Sequence, residues 1–231
     1  MLLPILLLVL AGVVGYLAGS FPSGVLVGKA YGVDVLAHGS GHTGTTNVLR
    51  TAGGKAAAIV VILDIAKGAV AVLLAHYVIL PASVDSAIGP WATPVAGLAS
   101  ILGHNFSLFL HFRGGRGVAT GGGAALAMNP LVVAIALPVG ALPVLFTRYV
   151  SLGSITAAVT CPIAELVFLL TGHDTIAGHA NWAHFAFMLI GALIVIASHH
   201  DNIQRLLAGT ERKLGQRAKA EAQAPLESKQ G

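Results

Sequence analysis

Apolar runs separated by short polar connections constrain this chain more than any other feature. Leu2–Gly19, Ala56–Leu80, Pro130–Phe146, Val150–Leu170 and Trp182–Ala197 are each read as membrane spans. Their lengths suit a hydrocarbon core of about 30 Å at about 1.5 Å of rise per helical residue. Trp91–Gly103 is too short to cross alone, and Phe106–Phe112 is read as its extension. Val118–Met128 is also short, with glycines near its start. With 55% hydrophobic and 10% charged residues and a mean hydropathy of +0.83, the 231 residues are expected to form an all-α integral membrane protein. Seven transmembrane helices are predicted, the third and fourth of them short.

Basic residues then assign a side to each connection. Lys29, Arg50, Lys55, Arg113, Arg116, Arg148 and the tail arginines all fall on one side, and the opposite loops carry no Lys or Arg. The positive-inside rule therefore predicts an outside N-terminus and a cytoplasmic C-terminus. The net charge of +4 is scattered beside apolar runs, which argues against a nucleic-acid partner. Cys161 is the one cysteine, so an intrachain disulfide is excluded. Met1–Ala18 lacks a basic leading region and is followed by further spans, so it reads as a retained helix. Residues 1–212 are expected to form one membrane-embedded domain, and 213–231 a polar, disordered tail.

Against this background His38–Arg50 stands out as a polar island. It holds three glycines and seven hydroxyl, imidazole or amide side chains, and ends on an arginine. Such a stretch suits an anionic oxygen cluster, although an ordinary solvated loop would also account for it. Ser40 lies between Gly39 and Gly41, and Arg50 carries the fork that pairs with phosphate oxygens. Asp64 and Lys67, three apart on a helix, share a face and are read either as a functional pair or as a structural ion pair. Lys67 is placed within reach of a cytoplasmic cavity. Gly103-His104-Asn105 precedes Arg113-Gly114-Gly115-Arg116-Gly117, a phosphate-loop composition without Walker A spacing. Two part-length helices meeting there predict an inward-facing polar cavity. His199, His200 and Asn202 open an amphipathic segment with Ile203, Leu206 and Leu207. Glu165 is a lone intramembrane carboxylate to which no role is assigned, and no metal site is expected.

Taken together, these segments are similar to the bacterial acyl-phosphate:glycerol-3-phosphate acyltransferase family (PlsY type). The residues carrying the resemblance are Gly19–Gly24, Gly39-Ser40-Gly41, Thr46–Arg50, Leu63–Gly68, Leu102-Gly103-His104, Gly114–Thr120, Ser151–Ser154, His199 and Asn202-Ile203. The resemblance implies a bacterial inner-membrane enzyme with its site on the cytoplasmic face. It would move a fatty acyl group from acyl phosphate, with no acyl-CoA, to the sn-1 hydroxyl of glycerol 3-phosphate, giving lysophosphatidic acid and phosphate. It also implies Ser40, Arg50, His104, His199 and Asn202 as catalytic residues. Gly39, Gly41, Asn47, Asp64, Lys67, Gly114, Gly115, Arg116, Gly117, Thr120 and Ser154 would bind substrate. No cofactor is implied. The partners it implies are the two substrates, the bilayer and, as an expectation, a soluble enzyme that produces acyl phosphate. The chain departs from the family where His42-Thr43-Gly44-Thr45 replaces Asn-Ile-Gly-Ala, where Arg113, Arg116 and His111 replace lysines, and where Ser107 replaces Pro and His200 replaces Arg.

An acyl phosphate has a good leaving group, so direct attack by the glycerol hydroxyl is expected. Arg50, Arg116 and Lys67 would neutralise the two phosphates, and His199, His104 or a substrate phosphate would take the proton. A nucleophilic Ser40 is the competing mechanism and requires an adjacent base. An anion carrier would need a basic counterpart on the outer side, which the sequence lacks, and a membrane scaffold leaves the polar loops unexplained.

Overall fold

The computed structural model describes residues 2–79, 89–172, 174–175 and 178–216. Among the described residues the regular elements are helical except for one two-residue antiparallel pairing, Asp174–Thr175 with Gly178–His179. The helices are α1 (Leu2–Ser20), α2 (Ser23–Ala30), α3 (Thr45–Thr51), α4 (Gly54–Leu74), α5 (Ala92–Asn105), α6 (Val118–Met128), α7 (Pro130–Thr147), α8 (Val150–Thr171), α9 (Trp182–Ser198) and α10 (His200–Leu207). Among the described residues four helices are long and apolar enough to cross a membrane, or five if the bent pair α9–α10 is one span. The loop expected at Pro81–Pro90 and the tail beyond residue 216 lie largely or wholly outside the described residues.

Large apolar side chains cover the outside of the bundle, as a hydrocarbon solvent requires. Phe146 is 85% exposed and Leu145 74%. Inside, small residues let backbones touch. A Cβ added at Gly19 of α1 would lie 2.0 Å from the Ser100 carbonyl of α5. On the α4–α6 seam a Cβ at Gly68 would lie 2.0 Å from the Thr120 carbonyl, and one at Gly123 equally close to the Ile65 carbonyl.

Several sequence expectations change shape. The first connection is not simply a loop: α2 follows α1 across a break at Phe21-Pro22, and α3 forms within the polar island. Phe106–Phe112 does not extend α5. The chain reverses there, with the Phe112 N–H bonding the Ser107 carbonyl and with His111 and Phe112 at φ of 53° and 61°. The Ser107 hydroxyl donates to the Ser20 carbonyl (2.6 Å), which anchors this reversal on the end of α1. The tail expected to begin at residue 213 is held for its first four residues, because the Leu214 N–H bonds the Arg148 carbonyl and Arg148 Nη2 bonds the Leu214 carbonyl (2.7 Å).

These contacts gather one end of the bundle. The ends of α1, α5, α7 and α9 meet the starts of α4, α6 and α8 there, and α3 and α10 cover them. Every chemically loaded loop therefore arrives at the same place.

Candidate active site

The polar island folds around a single amide. Asn47 is 2% exposed; its Oδ1 accepts the Ser40 N–H (2.8 Å), and its Nδ2 faces the carbonyls of Val35, His38 and His42. Gly39 sits at φ +70°, where a Cβ would lie 2.1 Å from Asn47 Oδ1, so only glycine fits beside that amide. Asn47 shapes the loop, and the shape turns Ser40 into a cavity.

That cavity, about 110 Å³, is lined by Arg50, Arg116, Arg205 and Arg212 together with Ser40, His42, Asn202, Asp201 and Glu211. Four guanidiniums against two carboxylates leave it cationic. Burial pulls Arg50 and Arg116 below the ordinary arginine value, and neighbouring guanidiniums pull further in the same direction. An entering anion relieves that repulsion, so phosphate is a natural occupant. Inorganic phosphate at a hundredfold excess over its Kd is expected to stabilise the protein by about 2.7 kcal/mol. A thermal melt with and without phosphate checks this.

Ser40, His42, Arg50 and Arg116 also line the mouth of a second cavity of about 620 Å³ that runs into the bundle. Beyond that mouth its walls are mainly apolar, with Ile101, Leu126, Val133 and Phe187 among them. Ser154 lines it too, although its hydroxyl donates to the Val150 carbonyl (3.0 Å).

His199 is buried in the wall of the larger cavity. Its Nδ1 lies 2.8 Å from the Val195 carbonyl, which only accepts, so Nδ1 carries the proton and Nε2 is left as a base. His42 is fixed similarly, with Nδ1 3.3 Å from the Gly114 carbonyl; burial first and Arg116 second hold its pKa below the ordinary 6.5. Asn202 is buried and gives its Nδ2 to Glu211 (2.6 Å), which leaves Oδ1 without a partner. That atom can accept a hydrogen bond. The Ser40 hydroxyl has no basic hydrogen-bond partner among the described residues, whereas a serine nucleophile works through an adjacent base.

His104 also reaches the larger cavity, backed by Asp64 at 3.6 Å from its Nδ1. Asp64 further accepts from the Ser23 hydroxyl and from Lys67 Nζ (2.9 Å). Lys67 bonds the Phe21 carbonyl as well and lines neither cavity. Of the three cations expected to meet phosphate, Arg50 and Arg116 line the cationic cavity and Lys67 does not; Arg205 and Arg212 join the other two there. Arg113 is exposed and outside both cavities.

The second-loop glycines are explained by close packing. A Cβ at Gly114 would lie 2.0 Å from the His104 carbonyl, and one at Gly115 2.1 Å from His104 Nε2. The Gly115 N–H donates to the His104 carbonyl (3.1 Å) and so is not directed at a ligand. Gly117 lines the larger cavity, whereas the buried Thr120 hydroxyl is unpartnered and outside both. Gly115→Ala is expected to displace the His104 ring and to cost about 1–3 kcal/mol of stability, measurable by thermal unfolding.

Glu211 is the residue the sequence reading missed. It is 8% exposed and accepts from Asn202, from Arg205 Nε (2.8 Å) and from Ser151 Oγ (2.9 Å). Burial raises its pKa, but those three bonds outweigh burial and hold it below the ordinary 4.5. This clasp is therefore complete above pH 4.5 and is lost as pH falls towards the lower folded-state value. Limited proteolysis of the C-terminal segment is expected to accelerate over that acid range and not between pH 6 and 8. Among the described residues no group of three His, Cys, Asp or Glu side chains is placed to hold a metal.

A cationic pocket for an anionic head group, opening into an apolar groove between membrane helices, defines a membrane-embedded enzyme acting on a lipid-like substrate. The chain belongs to the glycerol-3-phosphate acyltransferase family, whose profile residues 9–209 match, and it is an integral membrane acyltransferase. It is 44% identical over 210 residues to glycerol-3-phosphate acyltransferase 2 of Moorella thermoacetica, spanning 90% of this chain and 98% of the relative. The enzyme of Symbiobacterium thermophilum is 41% identical over 215 residues, spanning 93% and 98% of the two chains. A crystal structure of PlsY (YgiH), an integral membrane glycerol 3-phosphate acyltransferase, in its glycerol 3-phosphate form superposes with a TM-score of 0.75 at 35% identity, covering 92% of this chain and 96% of that one. The lysophosphatidic acid form gives the same TM-score and identity, with coverage of 90% and 95%.

Proposed function

We propose that this protein transfers a fatty acyl group from acyl phosphate to the sn-1 hydroxyl of glycerol 3-phosphate, releasing lysophosphatidic acid and inorganic phosphate. The observation that carries the reading is the sharing of Ser40, His42, Arg50 and Arg116 by a four-arginine pocket and an apolar groove. The acyl chain lies in the groove and the phosphates lie among the guanidiniums, so the carbonyl carbon falls at the shared mouth.

In this reading Arg50, Arg116, Arg205 and Arg212 offset the repulsion between two phosphorylated substrates, which is the main obstacle to bringing them together. Asn202 Oδ1 accepts from a glycerol hydroxyl and orients it. The hydroxyl oxygen attacks the acyl carbon, the bond from that carbon to the phosphate oxygen breaks, and phosphate leaves. His199 Nε2 or a phosphate oxygen takes the hydroxyl proton. Ser40 donates a hydrogen bond to the phosphate or the carbonyl. His104, backed by Asp64, borders the groove. Gly39, Gly41, Gly114 and Gly115 act by permitting the close approaches that shape the two loops.

The proposal extends to topology. Residues 1–212 form one domain in the inner membrane of a bacterium, crossing seven times, with the N-terminus outside and the C-terminus and site facing the cytoplasm. The confinement of Lys and Arg to the site end supports this. A soluble enzyme producing acyl phosphate would deliver substrate at that face.

Purified protein given palmitoyl phosphate and glycerol 3-phosphate is expected to make lysophosphatidic acid without acyl-CoA. No product, or phosphate uptake by proteoliposomes without acyl transfer, would overturn the reading. The expected absence of a labelled acyl-Ser40 species, when acyl phosphate is offered without acceptor, separates direct attack from the serine mechanism.

A further inference from the structure

The groove ends before the bundle does. Along α8 it is lined from Val150 to Cys161, about 16 Å at roughly 1.5 Å per residue. One helical turn beyond Cys161 comes Glu165; one turn before Val133 on α7 comes Asn129; one turn before Phe187 and Met188 on α9 comes His184. These three polar residues meet in a single layer. Asn129 Nδ2 donates to Glu165 Oε2 (2.7 Å), and His184 Nδ1 faces Glu165 Oε1 at 4.0 Å. The layer is remote from the arginine pocket, and nothing in the proposed mechanism uses it.

Its burial is nearly complete: Glu165 and Asn129 are 0% exposed and His184 is 7%. Among the described residues Glu165 Oε1 and His184 Nδ1 have no hydrogen-bond partner. At this end of the groove stand Phe187 and Met188, which line it and pack with Met128 in one buried cluster. Methionines yield easily to an advancing chain, so on their own they would make a soft end. A polar layer behind them is different. Methylenes pressed against Glu165 and His184 would meet buried polar groups that already lack partners and would gain no apolar contact there.

We propose that the Asn129–Glu165–His184 layer is the stop that sets the longest acyl chain the groove accepts. The inference rests on reading the groove as the acyl site, and its test separates the two. Acyl phosphates of graded chain length compete for glycerol 3-phosphate on the full-length protein in vesicles, with products resolved by mass.

Ala158→Leu, partway along the groove wall, is the reference and is expected to shift preference towards shorter chains whatever closes the far end. Glu165→Leu removes the polarity of the layer, and His184→Ala removes its volume. Each is expected to raise use of chains two carbons longer than the wild-type optimum, relative to that optimum, by about tenfold. Glu165→Gln keeps the acceptor for Asn129 and is expected to retain the wild-type profile. An unshifted Ala158→Leu overturns the groove reading and the stop with it. A shortened preference in Ala158→Leu beside a wild-type profile in the Glu165→Leu or His184→Ala protein overturns the stop alone. Either of the latter two variants suffices if the other fails to fold.

Discussion

Arg50→Ala is expected to cut lysophosphatidic acid formation by about 10²- to 10³-fold, the loss typical of removing one preorganised charge or donor from a reacting centre. The reason lies in where its guanidinium stands. Arg50 lines both cavities, at the point where, in the proposed reaction, the phosphate of one substrate approaches the acyl phosphate of the other. Burial and the nearby Arg212 already strain it as a cation, so it gains most when an anion arrives. Arg50→Lys keeps a charge but loses the fork, and should recover only part of the activity. Steady-state kinetics in both substrates check this. A variant with wild-type kcat/KM would remove Arg50 from the site and undo the two-cavity reading.

The second large effect is expected from a carboxylate to which the proposed reaction gives no step. Glu211→Ala strips the acceptor from Asn202, Arg205 and Ser151 at once. A buried amide and a guanidinium are then left without their partner, at about 3 kcal/mol of stability. Activity is expected to fall about 100-fold, because Asn202 and Arg205 line the pocket and shifts near 1 Å are enough for that. Glu211→Gln retains an acceptor for Asn202 but not the charge opposite Arg205, so it should fall between. Unfolding measured alongside activity distinguishes the cases: if Glu211→Ala unfolds like wild type, the residue is not the clasp described.

Much of this site was legible because its residues come in short, chemically unusual clusters within an apolar chain. Ser40, Arg50 and Arg116 were singled out on residue type and neighbourhood, and His199 and Asn202 by the family resemblance; the structure brings all five to one end of the bundle, lining one or both cavities. Glu211 was not legible. It follows the last span in a charged stretch, and only folding places it against Ser151, sixty residues earlier, and behind Asn202. Lys67 misled for a related reason. On helical spacing it could pair with Asp64 or reach a cavity, and the Phe21 carbonyl supplies the extra contact that keeps it in the wall.

Phe106–Phe112 misled too, because apolar composition does not distinguish a continuing helix from a loop exposed at the membrane face. The Ser107–Ser20 bond and the left-handed residues His111 and Phe112 decide the matter, and neither is visible in hydropathy. The glycines of Gly114-Gly115 looked like a phosphate cradle, yet what they leave room for is the His104 ring and carbonyl, contacts fixed by α5 rather than by their own neighbours.

By itself, then, the sequence determined the solvent and the inventory: runs of apolar residues that only a bilayer satisfies, basic residues confined to one set of connections, and the polar side chains with which chemistry could be done. Hydropathy and charge act locally, so they survive in a linear reading. Tertiary structure alone decided which inventory members meet. The four-arginine pocket joins residues more than 150 positions apart, the groove is a gap between helices, and its polar floor draws one side chain from each of three elements. Those features are relations between distant segments, set by small-residue seams and buried hydrogen bonds, and no stretch of the chain contains them.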